Sequence, residues 1–190
     1  MKPVILKNPK PLAPPVLILA GGADSLGTPE AKTRLDALVP VFENALQNFS
    51  GTLISGGTPS GVPGLAGAIA ARMATAKTKK FRLVGYAPEN AEPDPRYDEI
   101  RRVGKTFSHE QPAAYWDDIR LAQIPPSSVK LIGYAGGPIS AHEYRLALAQ
   151  TASVALIENS GGAAEKFLEN KTQSITSLPA EATAMQNFLF

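Results

Sequence analysis

The sequence predicts an α/β fold, a single domain built on an open parallel sheet with helices on both faces. Short apolar runs of strand length alternate along the whole chain with stretches of helical periodicity. Four of these runs lead into a glycine pair: 16–20 before Gly21-Gly22, 52–55 before Gly56-Gly57, 129–134 before Gly136-Gly137, and more weakly 153–157 before Gly161-Gly162. The length, 190 residues, suits one domain with a substantial core and is short for two. In a parallel sheet the C-terminal ends of the strands share one edge, so the glycine loops are expected to gather in one crevice sized for a nucleotide.

Taken in order, residues 1–14 are proline-rich and predict an extended arm, with the nucleotide-binding domain running from 15 to 190. Strand one, 16–20, feeds the loop that begins Gly21-Gly22. Pro29-Glu30 opens a helix with Leu35, Leu38, Val39, Phe42, Leu46 and Phe49 at three- and four-residue spacing, which Pro40 is expected to kink or split. Strand two is 52–55, and an alanine-rich helix follows to about Thr75, small on every face and able to pack closely on the sheet. Strand three is 81–86. Residues 87–111 form the longest irregular segment, leaving the same rim with Arg101, Arg102, Lys105 and His109. These side chains suit either pairing with phosphate or a solvated surface flap. A helix from Pro112 to Leu121 carries Trp116, Asp117 and Asp118. Neighbouring carboxylates on a helix point apart, which argues against a catalytic pair. Strand four ends at Tyr134, strand five covers 152–157, a short helix covers 163–168, a last strand covers 174–177, and a terminal helix follows Pro179.

The stretch Ser55-Gly56-Gly57-Thr58-Pro59-Ser60-Gly61 has the form of an anion site: a strand, a glycine loop, then a helix. Bare N–H groups and the positive helix end converge there, glycines let the main chain come close, and Thr58 and Ser60 add hydroxyl donors. A tight β-to-α connection that binds nothing is the competing reading of any one such loop. At the fourth strand, Ser140 stands three residues before Glu143, the spacing of a capping box. Glu143 therefore has a structural reading beside a functional one.

Composition removes several function classes. The formal net charge is +2, from 19 basic and 17 acidic residues, and the basic residues are scattered, so nothing draws the chain to nucleic acid or to an anionic membrane. The absence of cysteine excludes disulfides, thiolate metal sites and a cysteine nucleophile. His109 and His142 lie far apart in sequence, which argues against a dedicated metal site, and no cofactor is expected. Prolines interrupt the N-terminal apolar stretch, and no run approaches the ~20 residues needed to span a bilayer. A soluble, cytoplasmic chain is the expectation.

The set Ala20-Gly21-Gly22-Ala23, 55–61 and Ala135-Gly136-Gly137-Pro138-Ile139-Ser140-Ala141-His142-Glu143 resembles the SLOG superfamily of Rossmann-like domains. That superfamily groups the Lonely Guy cytokinin-activating enzymes, the misnamed lysine decarboxylases, DprA, and ligand-sensing domains of melastatin-type TRP channels and bacterial defence proteins. The resemblance covers nearly the whole chain in its order of loops. In Lonely Guy enzymes the pattern Pro-Gly-Gly-x-Gly-Thr-x-x-Glu holds a nucleoside phosphate, and the glutamate, with an arginine nearby, serves hydrolysis of the N-glycosidic bond. Gly136, Gly137 and Glu143 keep that spacing, while Ala135, Ile139 and Ser140 replace the proline, the later glycine and the threonine. A β-branched residue at 139 crowds the loop where backbone would approach phosphate. The Ser-Gly-Gly-Thr-x-Ser-Gly loop is more similar to the sensing branch, whose implied ligands are ADP-ribose, its cyclic derivatives and related NAD metabolites.

Two functions are expected to compete. In the leading one, a binding module for a phosphorylated nucleotide-derived ligand, Gly21, Gly22, Gly56, Gly57, Thr58, Ser60, Gly61, Gly136, Gly137 and Ser140 supply donors. Arg101 or Arg102 reaches a phosphate, and Glu143 or Glu158 accepts from ribose hydroxyls. In the other, a phosphoribohydrolase, Glu143 with Arg101 acts on the N-glycosidic bond. A third, a DprA-like single-strand binder, lacks a basic groove and has only 7% aromatic residues. The small-residue helix and the apolar tail (Met185, Phe188, Leu189, Phe190) suggest self-complementary surfaces, hence a homo-oligomer and in the simplest case a dimer.

Overall fold

In the computed structural model, which describes residues 9–22, 28–170 and 174–190, seven parallel strands lie in the order β4-β3-β2-β1-β5-β6-β7. The strands are β1 (Val16–Gly21), β2 (Ser50–Ser55), β3 (Lys80–Ala87), β4 (Glu99–Arg102), β5 (Val129–Tyr134), β6 (Ser153–Ile157) and β7 (Thr176–Leu178). The helices are α1 (Pro29–Ala45), α2 (Gly61–Thr75), α3 (Glu110–Leu121), α4 (Pro138–Ala149), α5 (Gly162–Glu169) and α6 (Ala182–Leu189). One apolar core joins α1, α2 and α6 to one face of the sheet, and a second joins α3, α4 and α5 to the other. The chain runs outward from β1 to β4, then returns to place β5 on the other side of β1. The order therefore reverses between β1 and β5, and a crevice must open beyond their C-terminal ends.

The central strands read as continuous apolar runs because both faces are covered: Leu17, Ile18, Leu53, Ile54, Leu131 and Ile132 are all buried. Thr28 caps α1 by accepting from the Ala31 amide at 3.2 Å, with Pro29 just inside. Contrary to the expected split, α1 runs through Pro40. That residue lies on the exposed side, while Leu35, Leu38, Val39 and Phe42 hold the buried face. The small residues of α2 have a second use besides close packing. A Cβ on Gly67 would stand 2.3 Å from Asp94 Oδ2, so a glycine there lets the buried Asp94–Arg96 pair (2.6 Å) lie on the helix.

That pair begins the main correction to the sequence reading. Residues 87–111 are not wholly irregular, because Glu99–Arg102 forms β4, an edge strand pairing with β3 from Val84↔Glu99 to Ala87↔Arg102. The preceding loop is stitched to α2 and to the turn before it: the Asp94 amide donates to the Gly57 carbonyl (2.9 Å), Arg96 Nη2 to the Gly64 carbonyl (3.1 Å) and the Tyr97 hydroxyl to the Pro63 carbonyl (2.8 Å). The polar, charged run Asp98-Glu99-Ile100-Arg101-Arg102 hides a strand from a hydrophobicity reading because an edge strand needs few apolar residues.

The described part of the N-terminal arm packs on the sheet. Leu12 is buried, the Thr52 hydroxyl donates to the Ala13 carbonyl and accepts from its amide (2.9 and 3.0 Å), and Arg82 and Arg101 donate to the Lys10 carbonyl. At the other end, α6 packs beside α1. Met185 and Leu189 are buried, Gln186 Nε2 donates to the Asn44 carbonyl (2.9 Å), and Phe190 is exposed. Among the described residues no helix is long and apolar enough to cross a membrane.

Candidate functional site

The crevice predicted by the sheet order holds a cleft of about 190 Å³. Its floor is the C-terminal end of β1, with Gly21 and Gly22, together with Ser55, Gly56 and Tyr86. One wall is α3 and the turn before it, with Phe107, Gln111, Pro112 and Tyr115. The other wall is the start of α4, with Gly137, Pro138, Ile139, Ser140 and Glu143. The floor is fixed by the Ser55 hydroxyl, which donates to the Leu19 carbonyl at 2.7 Å and binds β2 to β1 below the opening.

Glu143 is placed by its helix. The capping-box reading of Ser140 and Glu143 does not hold, because Gly137 is the N-cap and α4 begins at Pro138. Ser140 is instead a buried residue of the first turn, and Glu143 lies one turn further on the same face, toward the cleft. The residue is half-buried in the wall of the cleft. Burial raises its pKa from 4.5 to about 8, against a weaker opposite pull from the Tyr115 hydroxyl, 3.4 Å from Oε1. At neutral pH the carboxyl is held mostly protonated, able to donate as well as accept. Burial and the neighbouring Glu143 carry the Tyr115 hydroxyl well above its ordinary range, so it stays protonated.

The glycine loops divide by role. Gly136 has φ +91° and packs so closely on Ser140 that a Cβ would lie 2.4 Å from the serine Cβ. Gly137, by contrast, faces open space. The amides of Ile139 and Ser140 follow a proline at the start of α4, and no side chain caps them. This is the exposed positive end of a helix at the edge of the cleft. In the loop read as the principal anion site, Gly56 reaches the cleft but Gly57 does not. With φ +75° it packs against Gly85, Ala87 and Ile100. Thr58 is buried, and its hydroxyl has no partner among the described residues. Ser60 is the exposed N-cap residue of α2 and makes no side-chain cap bond; Gly61, φ +60°, opens that helix.

The arginines of β4 are not brought to the cleft. Arg101 bonds Glu99 Oε1 (2.7 Å), Asp118 Oδ2 (2.6 Å) and the Tyr86 hydroxyl (3.0 Å), an interlocked group behind the cleft floor. Arg102 holds the carbonyls of Pro88 (2.7 Å) and Ala91 (2.9 Å), pinning the loop that leads to its own strand. Glu158 accepts from the Ser177 hydroxyl at 2.8 Å. His109 and His142 are brought together, their rings stacked 4.0 Å apart between the start of α3 and α4. Among the described residues no cluster of three or more metal-ligating side chains exists.

The sequence reading missed the α3 wall. Gln111, Pro112 and Tyr115 share a helix face at i, i+1 and i+4, a signal present in the sequence but overshadowed by Trp116, which is a core residue. Also unforeseen is a second hollow of about 410 Å³ on the far side of Gly137 and Pro138. Arg145 of α4 and Lys166 and Phe167 of α5 line it.

A seven-stranded parallel sheet whose order reverses at the cleft defines a Rossmann-like α/β domain. The family described as "SLOG in TRPM, prokaryote" matches residues 14–189, and the chain belongs to it. Among solved structures, it is similar to the molybdenum cofactor binding protein of Rippkaea orientalis, with 16% identity over 93% of this chain and 95% of that one and a TM-score of 0.65. The molybdenum cofactor carrier protein of Chlamydomonas reinhardtii gives 16% identity over 92% and 94%, with a TM-score of 0.61. These likenesses establish the shared fold. No curated protein matches the chain.

Proposed function

We propose that the chain is a binding domain for a phosphorylated, nucleotide-derived small molecule, of the class of ADP-ribose, its cyclic forms or a related NAD metabolite. The observation that carries this reading is the cleft itself, an apolar slot for a ring that ends at the uncapped start of α4. Gly21, Gly22 and Gly56 lie on its floor, with Ser140 and the protonated Glu143 as the polar groups that fix orientation. Phe107 and Tyr115 give the cleft an aromatic lining suited to a flat ring. The Ile139 and Ser140 amides stand where a phosphate would meet the helix end.

A hydrolase reading draws on one observation, the protonated carboxyl of Glu143 in a cleft sheltered from water, which suits a general acid at a glycosidic bond. The arginine that reading recruits, Arg101, is bound to Glu99 and Asp118, so binding without turnover is favoured. A cytoplasmic setting and a homodimer stay part of the proposal, although Met185 and Leu189 of the apolar tail are buried against this chain's own core and only Phe190 is left exposed.

A thermal-shift screen with AMP, ADP-ribose, cyclic ADP-ribose, NAD and a cytokinin monophosphate tests the proposal, followed by chromatography of each mixture. The molybdenum cofactor named for two structural neighbours belongs in the same screen. A shift without product is the expected result. Release of free base, abolished in Glu143→Gln, would replace the sensor reading with the enzyme one, and no shift with any of these ligands would sink it.

A further inference from the structure

We propose that the groove between α4 and α5 is an anion subsite for the diphosphate of a two-part ligand, a nucleoside diphosphate conjugate that crosses Gly137 and Pro138 with its ring end in the cleft. The proposal rests on the reading of the cleft as the ligand site and narrows its ligand from a mononucleotide to a two-part molecule.

The two hollows are unlike and contiguous. Gly137 and Pro138 line both, so the start of α4 is a ridge with the cleft on one side and the groove on the other. The described lining of the cleft includes no cation. A phosphate there would meet only backbone dipoles, beside a glutamic acid that becomes negative in alkali. The groove supplies what the cleft lacks, Arg145 and Lys166 across from each other on neighbouring helices.

The helical period explains the division. Glu143 faces the cleft, Tyr144 is buried in the core, and Arg145, four residues after Ala141, faces the groove. Neither Arg145 nor Lys166 enters an ion pair among the described residues, although seven such pairs occur elsewhere in the fold. Of the acidic residues of α5, Glu165 accepts from the Gly161 amide at 3.1 Å, and neither it nor Glu169 lines the groove. The Arg145 guanidinium lies 5.3 Å from the centre of the Phe167 ring, a contact that restrains the side chain beside the groove and reduces the entropy lost on gripping a phosphate. No residue of the switch-point loops at 21–22 or 55–61 takes part.

The test is calorimetric titration of the wild type and of the double variant Arg145→Met/Lys166→Met with inorganic pyrophosphate, AMP and ADP-ribose. Methionine keeps the apolar stems, and both residues are exposed, so the fold is preserved; circular dichroism checks it. Pyrophosphate is expected to bind the wild type, and loss of two charge-assisted contacts should weaken pyrophosphate and ADP-ribose by roughly tenfold or more. AMP should change by less than about twofold, because its single phosphate remains at the start of α4. Equal weakening of AMP and ADP-ribose, or pyrophosphate binding that the double variant retains or the wild type lacks, would overturn the subsite. AMP binding together with unaltered ADP-ribose binding removes the subsite and leaves the cleft standing. Pyrophosphate binding that depends on Arg145 and Lys166, with no response to either nucleotide, removes the two-part ligand and the nucleotide reading of the cleft together.

Discussion

The chain has two basic pairs near the crevice edge of its sheet, and the fold gives them opposite surroundings. Arg101 and Arg102, adjacent in sequence, are enclosed. Arg101 is clamped by Glu99, Asp118 and Tyr86 behind the cleft, and Arg102 by two carbonyls of its own loop. Arg145 and Lys166, 21 residues apart, converge on a groove with no carboxylate opposite them. An arginine becomes scaffold or site according to whether a carboxylate reaches it first, and sequence proximity to a glycine loop says nothing about that. Each variant below either separates the two pairs or shows that they do not differ.

The largest difference is expected from Arg101→Ala. It leaves Glu99, which is 3% exposed, with Arg82 at 3.8 Å in place of its close partner, and removes a partner of Asp118 and Tyr86. Breaking one partner of a buried pair costs about 3–5 kcal/mol, which equilibrium urea unfolding would register as a lower midpoint. A cost near that of a surface residue would return Arg101 to the list of ligand contacts.

Next comes Glu143, whose position at the junction of the two regions has a price in stability. Its folded pKa is raised to about 8 from 4.5, so between those values the folded state holds a proton that the unfolded state has released. Stability contributed by this group is complete below pH 4.5 and declines as pH rises toward 8, by a total of at most about 5 kcal/mol. His142 acts in the opposite sense. Burial, then His109 and Arg145, lower its pKa, so its share is lost as pH falls through the folded value, and its partial exposure keeps that share small. Glu143→Gln should therefore match the wild type near pH 5 and exceed it at pH 8.5. Parallel midpoint curves for the two proteins across this range would contradict the protonated carboxyl.

How far the sequence carried this picture depends on what kind of signal each feature left. Alternating apolar runs and helical periods made the parallel sheet legible, because strands buried on both faces cannot be anything but apolar. The glycine pairs located the crevice, since Gly21, Gly22, Gly56 and Gly137 all reach the cleft. Edge strand β4 was hidden by its charges, and the α3 wall by a core tryptophan that drew the eye one residue too far. The groove was illegible for a different reason. Arg145 and Lys166 meet only because α4 and α5 pack side by side, a relation that no spacing within either helix records. Gly57 shows the converse, a glycine in a loop that has the form of an anion site yet serves the sheet.

Gly57→Ala is accordingly the next test in size. The residue has φ +75°, and the new Cβ would lie 3.0 Å from Ile100 Cδ1 and 3.2 Å from the Gly85 Cα, against backbone that cannot retreat. A cost of about 1–2 kcal/mol follows from strain at such a backbone conformation, while ligand affinity should hold. A variant as stable as the wild type but unable to bind would make Gly57 part of the site.

The smallest expected effect is the most informative about the comparison. Arg145→Met and Lys166→Met should each change stability by less than about 0.5 kcal/mol, the range of surface substitutions that break no network. Arg145 gives up a contact with Phe167 that methionine partly restores, and Lys166 gives up no described partner. Removing two positive charges that line the same groove relieves their mutual repulsion, so a slight gain at low ionic strength is the direction expected, fading as salt screens it. A pair kept for stability would behave like Arg101. A pair that costs nothing to remove, and whose like charges are held together without an internal counterion, has been placed for an anion from outside.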